Sequence, residues 1–119
     1  MSCCTTRRDL CIHQGDDLRV IVEVIDQSRE PMDIQDAQEI RWWAARNVRS
    51  PAVIQKELGA GSLHLGGPSI FFFDLQPEDT DAIPAGNHYH EAEIITYQGR
   101  VYTVMVGSLR IEPQLIPAP

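Results

Sequence analysis

A chain of 119 residues reads as one domain, large enough for a hydrophobic core without staples. With 43% apolar and 23% charged residues it has the balance of a globular domain, and no apolar run approaches the ~20 residues that cross a bilayer. A formal net charge of −7, with arginine supplying nearly all of the positive charge, excludes a basic face for nucleic acid.

The first residues, MSCCTTRRDLCI, lack the apolar segment of a signal peptide, which points to the cytoplasm or a particle assembled there. Cys3, Cys4 and Cys11 are an odd number with no His or Cys at zinc-finger spacing. They read as reduced thiols, with a structural metal or an intermolecular disulfide as alternatives. Residues 1–13 form an N-terminal arm with a possible first strand over Asp9–His13, closed by the turn Gly15-Asp16-Asp17.

Leu18 to Ile25 alternates strictly, so Leu18, Val20, Val22 and Val24 share one face and Arg19, Ile21, Glu23 and Ile25 the other. A turn-rich break, DQSREP, follows, and then MDIQDA, a loop or short edge strand in which Ile34 points inward. Glu39–Arg46 carries residues that suit a helix, but its shortness and the adjacent Trp42-Trp43 favour a strand. Ile40, Trp42 and Ala44 then face in, while Arg41 and Trp43 face out. Further strands are expected over Val53–Leu58, Ser62–Leu65 and Ser69–Gln76. The last of these turns Phe71, Phe73 and Leu75 inward and Ile70 and Phe72 outward. Pro77 begins a single helical turn.

Pro84 and Gly86 mark a corner that launches the next strand. His88, His90, Ala92 and Ile94 fall on its core face, with Tyr89, Glu91, Glu93 and Ile95 opposite. A hairpin turn at Tyr97–Arg100 leads to the last strand, Val101–Glu112, whose two halves are out of phase. A bulge at Gly107 would restore the register. Residues 113–119, PQLIPAP, form an extended C-terminal arm that proline keeps out of a sheet. Seven or eight short strands without a convincing helix predict an all-β antiparallel sandwich or small barrel.

Two chemistries compete for the corner strand. His88 and His90 project from one face about 6.5–7 Å apart, as metal ligands do in cupin barrels. No third ligand stands at matching spacing, so buried core histidines are the favoured reading and neither a metal nor another cofactor is expected. No nucleophile motif, P-loop or dinucleotide fingerprint occurs. The carboxylate pairs Asp16-Asp17 and Glu78-Asp79 read as solvated loops, with calcium as the alternative. Trp43, Ile70 and Phe72, facing outward, are candidates for contact surfaces, as are Leu115 and Ile116 on the tail.

The order of elements resembles the immunoglobulin-like modules of tailed-bacteriophage virion proteins, such as the N-terminal domains of upper-baseplate proteins, and small stand-alone phage structural proteins of the same build. The matching elements run over residues 14–112: GDDLRVIVEVID, P-M-D-I, a central strand carrying Trp, F-F-F-D-L with D-T beyond it, G-x-H-x-H-E, and QGRVYTVMVGSLRI. The corner strand departs from the pattern, with His88 and His90 where an aromatic is usual. The resemblance implies an immunoglobulin-like β-sandwich acting as a non-enzymatic virion part on head, neck or tail. Its partners would be other virion proteins in a symmetric assembly, put together in the bacterial host cytoplasm, with no nucleic acid and no membrane. A cupin-like metal-dependent enzyme or sugar binder is the second reading. A carbohydrate-binding sandwich that stacks sugars on Trp43 and tyrosines is the third.

Overall fold

Alternating apolar residues sort the strands of the computed structural model, which describes residues 5–116, onto two facing sheets. The expectations for Cys3 and Cys4 lie outside those residues; Cys11 is exposed and unbonded. In chain order the elements are β1 (Thr6–Arg7), β2 (Leu10–His13), β3 (Leu18–Glu23), β4 (Glu39–Ala45), β5 (Ala52–Glu57), β6 (His64–Gly67), β7 (Ile70–Leu75), α1 (Pro77–Thr80), β8 (Gly86–Ile95) and β9 (Val101–Glu112). The larger sheet runs β1–β9–β8–β4–β5, with β2 also paired to β9, and the smaller runs β3–β7–β6. In immunoglobulin lettering these are a G-F-C-C′ sheet carrying the first strand, and a B-E-D sheet. The protein is an immunoglobulin-like β-sandwich.

The core lies between the sheets. Trp42 of β4 is fully buried and stacks on Phe73 of β7 across the sandwich, ring centroids 4.5 Å apart. Ile40, Leu63, Phe71, Leu75, Leu109 and Ile111 close around it without exposure. The inward faces expected of β4, β7 and β8 are those observed, as is the buried Ile34, and the face of β3 that carries Val20 and Val22 is the buried one. Arg29, in the loop after β3, takes a positive φ of 64°, and the Asp26 carboxylate accepts from the Ser28 and Glu30 amides to hold that turn.

Three details differ from expectation. The pairing is not antiparallel throughout, because β1 and β2 run parallel to β9. With a whole domain between first and last strands, no tight turn forces them to oppose. The strand expected over Ser62–Leu65 also shifts, to His64–Gly67 (β6). Gly66 continues it because the glycine leaves room for Phe72 and Ile70, whose side chains a Cβ would meet at 3.1 and 3.2 Å.

The bulge in β9 is not at Gly107 but at Val104. Ala92 pairs with Met105 and Glu93 with Thr103, leaving Val104 as the extra residue. Val104 and Met105 are both buried, after which Gly107, Leu109 and Ile111 keep the inward face. Gly107 has a different function. A Cβ there would overlap the Arg8 carbonyl. The missing side chain therefore admits the backbone of residues 8–9 as it passes between β1 and β2.

Candidate interaction surfaces

The histidine pair is built into the core. His88 is buried, and its Nδ1–H donates to the Gly86 carbonyl at 3.2 Å. His90 sits opposite Gly107 with no exposed surface. Its Nδ1 accepts from the Trp42 indole N–H at 3.0 Å, and its Nε2–H donates to the Arg8 carbonyl at 2.7 Å. Those two bonds require the neutral Nε2–H tautomer. Burial lowers the pKa of His90 from 6.5. The bond to Arg8 and the Asp9 carboxylate oppose that shift, while the Arg8 and Arg7 charges reinforce it. Neither ring nitrogen has a lone pair free for a metal. Among the described residues no group of three or more His, Cys, Asp or Glu is arranged to hold one.

His90 thus joins three elements: β4 through Trp42, its own β8, and the N-terminal segment through Arg8. The same segment is fixed by Arg8 N–H donating to Val106 at 2.9 Å and by Ser108 N–H donating to the Asp9 carboxylate at 2.9 Å. The latter bond is the main cause of the depressed Asp9 pKa. The Arg8 guanidinium reaches the Ile21 carbonyl on β3, tying the two sheets together along that side.

Trp43 lies on the outer face of the larger sheet, 38% exposed. Its indole N–H donates to Glu57 at 2.8 Å, which fixes the ring. Trp43 borders a cleft of about 160 Å³ with Arg41, Glu91 and Glu93, and a second one that also touches Tyr89. Arg41 and Glu93 form an ion pair at 3.5 Å along the cleft.

Ile70 and Phe72 are on the opposite face of the molecule, on the outer side of the smaller sheet, so the structure does not join them to Trp43. Both are half-buried. Arg19 lies 4.6 Å over the Phe72 ring and is itself held by both oxygens of Asp74, at 2.7 and 3.0 Å. Ile21, 55% exposed and directly opposite Phe72 in the ladder, extends this face and was not among the expected contact residues.

Leu115 and Ile116 form a third, separate surface. They are 96% and 78% exposed beyond the end of β9, where Gln114 N–H donates to Gln14 at 3.4 Å. At the other end of the β8–β9 hairpin a groove of about 370 Å³ lies among Met32, Ile34, Ile94, Tyr97 and Tyr102. It joins a loop, a strand end and a hairpin turn that are distant in sequence, so no local pattern marks it.

No family model matches the chain, and no curated protein does. Solved structures match across nearly the whole length at low identity. The Ig1 domain of mouse SynCAM 2 is 12% identical over 93% of this chain and 94% of that one, with a TM-score of 0.44. Murine CRIg is 11% identical over 89% and 92%, with a TM-score of 0.41. A chain in a structure of T cell specificity and activation by the bacterial superantigen toxic shock syndrome toxin-1 is 9% identical over 89% and 92%, at 0.46. The strand order described above, rather than these likenesses, defines the fold as immunoglobulin-like.

Proposed function

We propose that this chain is a non-enzymatic interaction module, and that it serves as a structural component of a tailed-bacteriophage virion. The observation that carries the binding role is Trp43. It is a large aromatic left partly in solvent on an open sheet face, its ring held by Glu57 before any partner arrives. A fixed, exposed tryptophan loses little side-chain entropy on contact, which is the property of residues that dominate interfaces. The virion assignment is supported by the resemblance of residues 14–112 to phage immunoglobulin-like modules. A tagged chain supplied during infection should co-sediment with density-gradient-purified virions, and Trp43→Asp should reduce its incorporation. A chain absent from the particles overturns the virion assignment.

A second reading is carbohydrate binding. Trp43 and Tyr89 line one cleft on the outer face beside polar Glu91 and Asn47. An aromatic wall next to carboxylate and amide acceptors suits the apolar face and hydroxyls of a sugar ring. A glycan array separates the two readings, since saturable binding lost in Trp43→Ala favours the sugar.

A further inference from the structure

We propose that the open border of β3 is a docking site for one extended strand of a partner protein. That strand is taken antiparallel and carries a basic, an apolar and an acidic residue at alternate positions. The site is separate from Trp43, which lies on the other sheet, and does not depend on which particle the chain belongs to.

β3 borders the smaller sheet, bonded to β7 on one side and, among the described residues, to no strand on the other. Successive residues of a strand point their backbone groups to alternate sides. Val24 N–H donates to the Ser69 carbonyl on the β7 side at 2.8 Å, whereas the Ile21 carbonyl accepts from the Arg8 guanidinium on the far side. Arg19, Ile21 and Glu23 therefore turn their N–H and C=O groups to the open border. Each can exchange a pair of hydrogen bonds with an added strand. Arg8 does not close the border, since a carbonyl oxygen has lone pairs for two donors. The other borders are blunted. β6 shifts register between Leu65 and Gly67 and runs into Pro68. β5 has both backbone groups of Glu57 engaged by Ser62, and β1 and β2 are interrupted at residues 8–9. β3 is unbroken by proline or by any shift of register against β7.

The side chains of the same three residues choose the strand. All are exposed on the outer face of the smaller sheet, and they read positive, apolar, negative along β3. Antiparallel pairing continues the arrangement of β3 with β7 and is the more stable per residue. It sets an acidic residue opposite Arg19, an apolar one opposite Ile21 and a basic one opposite Glu23. Asp74 holds Arg19 through Nε and Nη2, which leaves Nη1 for a second carboxylate. Glu23 takes part in none of the ion pairs among the described residues. Ile21 stands directly opposite Phe72, so an apolar residue on its other side lengthens the same stripe. A strand with the two charges exchanged sets like charges opposite one another at both ends, which is destabilising. Backbone bonds supply the affinity in such a contact, and the alternate side chains supply the choice of partner.

Titration of the ¹⁵N-labelled full chain with two peptides of one composition, TKTVTET and TETVTKT, tests this. In antiparallel register the first sets lysine, valine and glutamate opposite Glu23, Ile21 and Arg19. It should shift the amide signals of those three residues saturably and slow their hydrogen exchange. The Val20 and Val22 amides, already bonded to β7, should change little. The second peptide should bind roughly tenfold more weakly. Methylating the valine nitrogen of the first should abolish binding, because that N–H belongs to the ladder. Glu23→Lys alters one exposed side chain and should remove the preference between the peptides. Arg19→Glu with Glu23→Lys should reverse it, with circular dichroism confirming the fold. The inference is overturned by the absence of saturable shifts at millimolar peptide, by equal affinities in the wild type, or by shifts centred on Trp43. A chain that enters virions but leaves its β3 border unresponsive overturns this inference alone. A chain that binds the peptide but is absent from virions overturns only the virion assignment.

Discussion

Trp42 and His90 are joined by a hydrogen bond across β4 and β8, the indole N–H donating to Nδ1 at 3.0 Å inside the core. The bond leaves His90 its Nε2–H for the Arg8 carbonyl, so one buried pair sets both the sheet interior and the position of the N-terminal strand. Trp42→Ala removes the stack on Phe73 and leaves His90 Nδ1 unpaired. It should cost on the order of 3–5 kcal/mol. Trp43→Ala, one residue on but facing out, should cost less than about 1.5 kcal/mol. Urea denaturation of the two variants checks the ranking.

Stability should depend on pH through His90. Its folded pKa is depressed, so the folded state resists a proton that the unfolded chain accepts near pH 6.5. The contribution is complete above that pH and is lost as pH falls through the depressed folded value. Protonation also turns Nδ1 into a donor facing the Trp42 N–H. Midpoints measured between pH 8 and pH 5 should fall, and His90→Gln should remove much of that dependence. An unchanged dependence in the variant would assign it to other groups.

Gly107→Ala should loosen the N-terminal segment before anything else. The added methyl overlaps the Arg8 carbonyl, a backbone atom, so residues 8–9 must move off β9. Losing the His90–Arg8 and Asp9–Ser108 bonds with that shift should cost on the order of 1–3 kcal/mol. Hydrogen exchange should quicken at Arg8, whose amide bonds Val106, while β4 amides stay protected.

Much of this was legible in the sequence wherever one face of a strand meets the core. Period-two alternation placed Val20 and Val22, Trp42 against Trp43, and Phe71 against Phe72 on their observed sides, because burial on one face fixes the phase. Alternation does not say which sheet a strand joins. Trp43 and Phe72 both point outward, yet in opposite directions. The His-x-His spacing correctly put both rings inward but could not show that the partner of His90 is a backbone carbonyl 82 residues away. The β9 bulge was misplaced because a glycine is the usual local mark of irregularity, whereas this glycine serves a close approach of another strand.

Metal removal should leave the protein unchanged. His90 has both nitrogens engaged, and recruiting it as a ligand would break the Trp42 bond or the Arg8 bond. Chelator should not shift the melting temperature, and added zinc should not raise it. A stoichiometric zinc, iron or nickel lost in a His88→Ala, His90→Ala variant would support the cupin-like reading instead.

The two arms should differ sharply on deletion. Residues 113–119 include Leu115 and Ile116 in solvent, and the backbone amide of Gln114 makes a long 3.4 Å bond to Gln14. Removing them should change stability by less than about 1 kcal/mol. Residues 1–8 look equally dispensable in composition, but Thr6 and Arg7 pair with Met105 and Val106, and Arg8 supplies the acceptor for His90. Without that carbonyl the His90 N–H is buried and unpaired, which alone costs about 1–3 kcal/mol. The first part of β9 also becomes a bare edge able to pair with other chains. Removing residues 1–8 should therefore lower the melting temperature clearly and promote aggregation, while removing 113–119 leaves a folded domain. Equal melting temperatures for the two truncations would mean that the N-terminal segment is only an appendage, and that the His90 bond to Arg8 does not hold it to the sandwich.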